Sequence, residues 1–382
     1  MYTHRTYRWA TALYFFLAGI VFSSWASRIA LLQKQWNFTD KQLGTVLFAL
    51  PVGLLLSLPF AGKLVHRLGS KLMVVASAIL YTLFLTCIAY ADGTITIAIT
   101  LLFFGALGNT INISVNTMAV EVQQYFPKSI IASFHGVWSL AGFVGAAVGY
   151  LAIQLQLATQ QHFLWVSVFV ILLAIVGYKF TAPAVPQVAA TEPQQKAPLL
   201  AWPTGKLLLM GVICLCCMLC EGTMFDWIGV YFAKVVQAPK QQQVAGFVCF
   251  MFCMASGRFI SDGLVSKLGV RKILVASGVG ISTALALMVI FPVFQIAIIG
   301  CVVMGFSVSS VVPLVYGMAG KASEMPPSIA LAAVSTVGYF GFLFGPPLIG
   351  YIADLGSLRM SFALVATLGL VIVGLSKKAV AS

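Results

Sequence analysis

AGKLVHRLGSKLMVVAS (61–77) aligns without a gap on SDGLVSKLGVRKILVAS (261–277), 200 residues further on. Leu64, Val65, Leu68, Gly69, Val75, Ala76 and Ser77 each recur at that offset. Gly142-Phe143 with Gly149-Tyr150 is echoed by Gly341-Phe342 with Gly350-Tyr351. A chain that repeats itself once reads as two similar halves. Each copy joins two long apolar runs, and the whole chain is 60% hydrophobic and 8% charged, with a mean hydropathy of +1.01. A soluble domain of 382 residues needs far more charge on its surface. Runs of about 20 apolar residues each are long enough to cross a bilayer.

Only helices or closed barrels satisfy the backbone in lipid. The runs are long and mostly apolar rather than alternating, so they predict helices. Twelve spans are expected, at 9–32, 42–65, 71–91, 95–121, 129–154, 161–181, 206–233, 243–266, 271–290, 293–318, 326–353 and 359–376. Between the sixth and seventh lies APAVPQVAATEPQQKAPLLAWPT (182–204), rich in Pro, Ala and Gln and without helical periodicity, which reads as a cytoplasmic linker. The expected fold is an all-α integral membrane protein of twelve transmembrane helices. They form two pseudo-symmetric six-helix halves, 1–181 and 205–382.

The net charge of +13 raises nucleic acid as a partner, but its distribution argues against that. The basic residues sit in short loops that alternate along the chain, and no basic stripe with interleaved aromatics occurs. With the N-terminus inside, the outer segments hold only Arg28, Lys34, Lys41, Lys234, Lys240 and Arg359 of the 22 Lys and Arg. This bias places both termini in the cytoplasm. The first apolar run is too long for a signal-peptide core and lacks a small-residue cleavage site, so it reads as an uncleaved helix. Most of the eight cysteines fall inside apolar runs, and no paired loop spacing suggests a disulfide framework.

Gly62-Lys-Leu-Val-His66-Arg67-Leu-Gly69-Ser-Lys71 resembles the loop 2–3 signature of the major facilitator superfamily: Gly, an acid–Arg pair, then Gly and basic residues. His66 stands where that signature carries an acid. Gly257-Arg258-Phe-Ile-Ser-Asp262 ahead of Gly269-Val-Arg271-Lys272 resembles its counterpart in the second half, with Arg258 and Asp262 four apart on one helix face. Arg67, Arg258 and Asp262 are therefore conformational candidates. More narrowly, Trp25-Ala-Ser-Arg28, Asn116-Thr-Met-Ala-Val-Glu121, Ser133-Phe-His135-Gly-Val-Trp138, Glu221-Gly-Thr-Met-Phe-Asp226-Trp227 and Gly345-Pro-Pro-Leu-Ile-Gly350 resemble a bacterial branch of that superfamily. The branch includes the rhizopine-associated membrane protein. The resemblance implies a transporter of small polar solutes (sugars, polyols or amino-polyols). It also implies that spans 1, 4, 7 and 10 line a central cavity and that the halves rock to give alternating access.

The expensive residues mark the candidate site. Only nine acids occur, yet span 7 carries Glu221 and Asp226. Glu221 falls about 14 residues, or ~20 Å, into that span. An intramembrane acid costs several kcal/mol unless it is paired or wet. Desolvation favours the protonated form of a carboxyl, so such an acid can couple proton movement to a solute. The alternative is a structural acid bonded to backbone or to a Lys or Arg on a neighbouring span. Trp227 offers a stacking face for a sugar ring or an interfacial anchor. In span 4, Asn109, Asn112 and Asn116 share one helix face and offer donors and acceptors to a hydroxyl-rich solute; the alternative is helix–helix hydrogen bonding. Trp25 and Arg28, at the end of span 1, are further solute candidates. Arg28 reads equally as a partner for Asp226 or as a snorkelling cation. In span 10, Ser309 and Ser310 precede Pro313 and point to exposed backbone. Glu121 and His135, at similar depth, form a gating pair or a structural hydrogen bond. Cys214, Cys217, Met218 and Glu221 share a face, but thiols in helices behave mainly as small apolar groups.

The expectation is a secondary transporter in a bacterial cytoplasmic membrane. It moves a small polar solute with protons and works as a monomer with the bilayer, without nucleic acid, metal or cofactor. Efflux of apolar compounds is the alternative within that class. A membrane-embedded enzyme or a non-transporting sensor is the alternative outside it, although no Gly-rich nucleotide loop followed by Lys appears.

Overall fold

Gly69 and Gly269, the paired glycines of the repeat, adopt the same backbone conformation, with φ +83°, ψ 148° and φ +80°, ψ 155°. That region is essentially open to glycine alone. Each glycine ends one helix and begins the next, so the same tight corner occurs in both copies. The computed structural model describes residues 3–128, 130–182, 203–320 and 327–380. Residues 183–202, most of the expected linker, lie outside them.

The described chain is helical. Its helices are α1 (His4–Ala26), α2 (Ile29–Gln35), α3 (Asp40–Leu47), α4 (Ala49–Leu68), α5 (Ser70–Tyr90), α6 (Thr94–Gln123), α7 (Ile131–Gln154) and α8 (Thr159–Tyr178), then α9 (Gly205–Lys234), α10 (Ala245–Leu268), α11 (Val270–Ile290), α12 (Phe294–Val308), α13 (Val311–Ala319), α14 (Pro327–Leu355) and α15 (Leu358–Ala379). Among the described residues they supply 12 segments long and apolar enough to cross a membrane. α3 with α4, and α12 with α13, each count as one.

Three breaks differ from expectation. The second span is interrupted at Phe48, between α3 and α4. The first span stops at Ala26 rather than running on to residue 32. Ser27 Oγ donates to the Ser24 carbonyl and Arg28 N–H bonds the Trp25 carbonyl. These three-residue closures tighten the helix into a turn. The tenth span is interrupted at Ser309–Ser310. Pro313 has no N–H to return to the Ser309 carbonyl, which weakens the helix there.

The chain divides into two compact units. One comprises Met1–Phe38, Thr45–Pro186 and Lys240–Val244; the other comprises Thr39–Gly44, Gln187–Pro239 and Ala245–Ser382. In the first, α1 packs on α7, α4 on α6, and α5 on both α6 and α8. In the second, α9 packs on α14, α10 on α12, and α11 on both α12 and α15. The pairing scheme is the same. Glycines make these contacts close. A Cβ at Gly53 would lie 1.8 Å from the Leu102 carbonyl oxygen, and one at Gly105 would lie 1.9 Å from that of Leu50. In the second unit, a Cβ at Gly341 would meet the Leu215 carbonyl oxygen at 2.4 Å. With little hydrophobic drive between helices in lipid, such close backbone packing is what holds them.

Candidate functional site

α9 is buried along most of its length and carries both intramembrane acids. Glu221 lies about 24 Å along this helix at 1.5 Å per residue, well inside the apolar stretch. The residue is 8% exposed, and Oε1 stands 3.5 Å from Arg258 Nη2 on α10. Arg258 lies about 20 Å along its own helix, three residues before the end of the membrane-crossing segment Lys240–Ser261, and its side chain is 25% exposed. The separation exceeds the 2.7–2.9 Å of a tight charge-assisted hydrogen bond. The pair is an ion pair with room to separate. Arg258 Nη2 also lies 4.0 Å from Met254 Sδ. One turn before Glu221, the Cys217 thiol points at the Val308 carbonyl, 3.8 Å away. Cys220 points likewise at the Val365 carbonyl. These thiols are packing groups bonded to neighbouring backbone. Asp226 is half-buried, and among the described residues it has no ion-pair or hydrogen-bond partner.

On α6 the three asparagines separate. Asn109 is buried and its Nδ2 donates to Ser57 Oγ on α4 at 2.8 Å, a helix–helix bond. Asn116 Nδ2 donates to the Asn112 carbonyl at 2.8 Å and to Asn112 Oδ1 at 2.9 Å. Asn112 is exposed, and its own amide N–H groups remain available. An exposed carboxamide on a membrane span is costly against hydrocarbon.

Several expected contacts turn out to be packing. Trp25 is fully buried, with its ring 6.1 Å from that of Phe104. Trp227 is fully buried too, which removes it both as an exposed stacking face and as an interfacial anchor. Ser309 is buried, donates to the Phe306 carbonyl, and abuts Gly257, where a Cβ would lie 2.4 Å from its Oγ. Arg28 does not snorkel. It is 2% exposed, its Nε donates to His162 Nδ1 at 3.1 Å, and Nη1 and Nη2 each donate to the Leu157 carbonyl at 3.2 Å. Burial pushes this guanidinium down to about 10, which leaves it cationic at neutral pH. It staples the end of α1 to the start of α8.

Glu121 Oε2 accepts from Ser70 Oγ at 2.5 Å, which ties α6 to the corner after Gly69. His135 meets the Phe15 ring edge-on at 5.4 Å. Each therefore has a partner of its own. Arg67 is exposed at the end of α4. Arg258 lies 3.5 Å from Glu221; the side chain of Asp262, its expected companion on the same helix face, lies outside the described residues.

The family model described as Major Facilitator Superfamily matches residues 10–328 and 245–377. The chain belongs to the Major Facilitator Superfamily. It is 30% identical over 371 residues to an uncharacterised major-facilitator-type transporter of Yersinia pestis, covering 97% of this chain and 95% of that one. It is 27% identical over 365 residues to the membrane protein MosC of Rhizobium meliloti, covering 95% and 88%. The solved structure of a D-xylose–proton symporter matches the fold with a TM-score of 0.78 at 12% identity, covering 98% of each chain. Both levels of the resemblance read from the sequence are met. This facilitator is a multi-pass membrane protein and a transporter rather than an enzyme.

Sequence reasoning missed His162 and Ser57. Each lies more than 50 residues from its partner, and neither belongs to a motif. The one available signal was scarcity: His162 is one of four histidines, and it stands at the edge of an apolar run.

Proposed function

We propose that this facilitator moves a small polar organic solute (sugar, polyol or amino-polyol) together with protons across a bacterial cytoplasmic membrane, both termini and the 182–204 linker lying in the cytoplasm. The observation that carries the reading is the Glu221–Arg258 ion pair within apolar helices. A proton arriving at Glu221 removes one charge of the pair. Arg258, half-buried beside it, then loses that counter-charge in a low-dielectric setting, which shifts the balance between helix arrangements. The helices respond by rearranging until Arg258 is hydrated or Glu221 gives the proton up. That is the energetic requirement for coupling a proton to a change of facing. Asp226, without a partner among the described residues, is a second proton site on the same helix. Asn112 and Asn116 are the solute contacts: the free amide N–H groups of Asn112 suit hydroxyls, and Asn116, bonded to it, holds it in place. The fold's likeness to a D-xylose–proton symporter agrees with this choice of solute and ion without assigning either.

The test is proton uptake in proteoliposomes. Internal pH is followed while sugars, polyols, amino sugars and organic acids are added in turn. A solute-dependent acidification that Glu221→Gln abolishes is expected. Normal uphill uptake by Glu221→Gln refutes the role of Glu221 and leaves Asp226. Solute flux without any pH change refutes proton coupling itself.

A further inference from the structure

A cavity of about 570 Å³ opens beside the first two turns of α1. It is lined by Arg5, Arg8, Trp9, Phe126, Ser133 and Phe134, with Ala12 and Val137 completing the wall. Beside it, the His4 and Tyr7 rings meet the Tyr125 ring at a tilt, with centroids 4.9 and 5.7 Å away. Arg8 is fixed in place, with Nη2 donating to Ser133 Oγ at 3.2 Å and its guanidinium 5.9 Å from the Phe126 ring centroid. Arg5 is exposed and has no hydrogen-bond or ion-pair partner among the described residues.

Two guanidiniums thus share one cavity with no carboxylate in its wall. The sequence makes this deliberate. No acid occurs in residues 1–39, which supply α1, nor in 122–191, which supply the other wall. The counter-charge must come from another molecule. The depth narrows its nature. Arg5, Arg8 and Trp9 lie within about 8 Å of the helix end at 1.5 Å per residue, the level at which headgroups and interfacial Trp residues sit. Trp9 is 73% exposed. Guanidiniums match phosphate oxygens bidentately. The rings of Trp9, Phe126 and Phe134 suit the glycerol and upper acyl chain behind such a phosphate.

We infer that this cavity binds the phosphodiester headgroup of an anionic phospholipid, held by Arg5 and Arg8 with the chain against Trp9. The site lies wholly within the first unit and does not depend on solute or coupling ion.

The experiment uses full-length protein in nanodiscs made from equal phosphatidylglycerol and phosphatidylethanolamine. Lipid retained after extraction is read by native mass spectrometry. Wild type is expected to retain phosphatidylglycerol preferentially. Arg5→Gln, which breaks no contact of the fold, is expected to lower that preference about fivefold, as one interfacial charge allows. Arg5→Gln/Arg8→Gln lowers it further. Equal retention of the two lipids by wild type, or an unchanged preference in Arg5→Gln, overturns the inference. In a second arm, inorganic phosphate is added at constant ionic strength to protein in neutral detergent. If it raises the melting temperature as much as phosphatidylglycerol does, the ligand is a free anion and the lipid assignment falls.

Discussion

Asn109 and Asn112 are three positions apart on the same helix, yet one is spent on Ser57 and the other faces open space. The difference is testable. In a variant lacking the exposed Cys87, Asn112→Cys is expected to react with a membrane-impermeant thiol reagent and Asn109→Cys to stay unlabelled. Equal labelling of both would contradict the placement. The Glu221–Arg258 pair invites a double-mutant cycle. Arg258→Gln alone is expected to destabilise the protein by about 3–5 kcal/mol, because it strands a buried carboxylate. Adding Glu221→Gln is expected to recover most of that loss, as measured by thermal unfolding in detergent. Transport stays lost in the double variant if the pair couples protons. Arg28 makes a sharper case for stability. Arg28→Leu orphans the half-buried Leu157 carbonyl and the buried His162 Nδ1, and a loss of about 1–3 kcal/mol is expected, mostly from His162. Transport per folded molecule should be spared, because Arg28 only staples α1 to α8.

The elements show what a sequence reader can and cannot see. Every span was legible, because a stretch of about 20 apolar residues has no other home. The corners at Gly69 and Gly269 were legible as a repeat, though their shared positive φ is visible only in the structure. The breaks after Ala26 and at Phe48 were not foreseen as boundaries, because apolar residues resume at once beyond both; Ser309 and Ser310 ahead of Pro313 signalled exposed backbone, though the tenth span was read as continuous. The site divided in the same way. Glu221 and Asp226 stood out by charge alone, but the partners of Glu221, Arg28 and Asn109 come from other helices, and spacing does not say which residue there each one meets. Gly69→Ala or Gly269→Ala is expected to cost about 1–3 kcal/mol each through backbone strain alone, since nothing lies within 4 Å of either Cβ position. Gly53→Ala should be far worse, because its Cβ would fall on the Leu102 carbonyl. Comparing the yields of folded protein separates the two kinds of glycine.

At the scale of the molecule, the two units share a pairing scheme but not a chemistry. The first offers exposed neutral amides on α6; the second holds an ion pair between α9 and α10. If transport needs both, Asn112→Ala should raise the solute concentration for half-maximal uptake while leaving the proton-to-solute ratio intact. Glu221→Gln should do the reverse, and paired measurements of flux and internal pH distinguish them. The matched glycine corners then have a consequence for how such a chain can change over time. A duplicated half inherits its skeleton through a handful of positions that tolerate no side chain, and these are useless for telling solutes or ions apart. The remaining surface is free to drift. One copy can become a recogniser and the other a power source without either losing its shape.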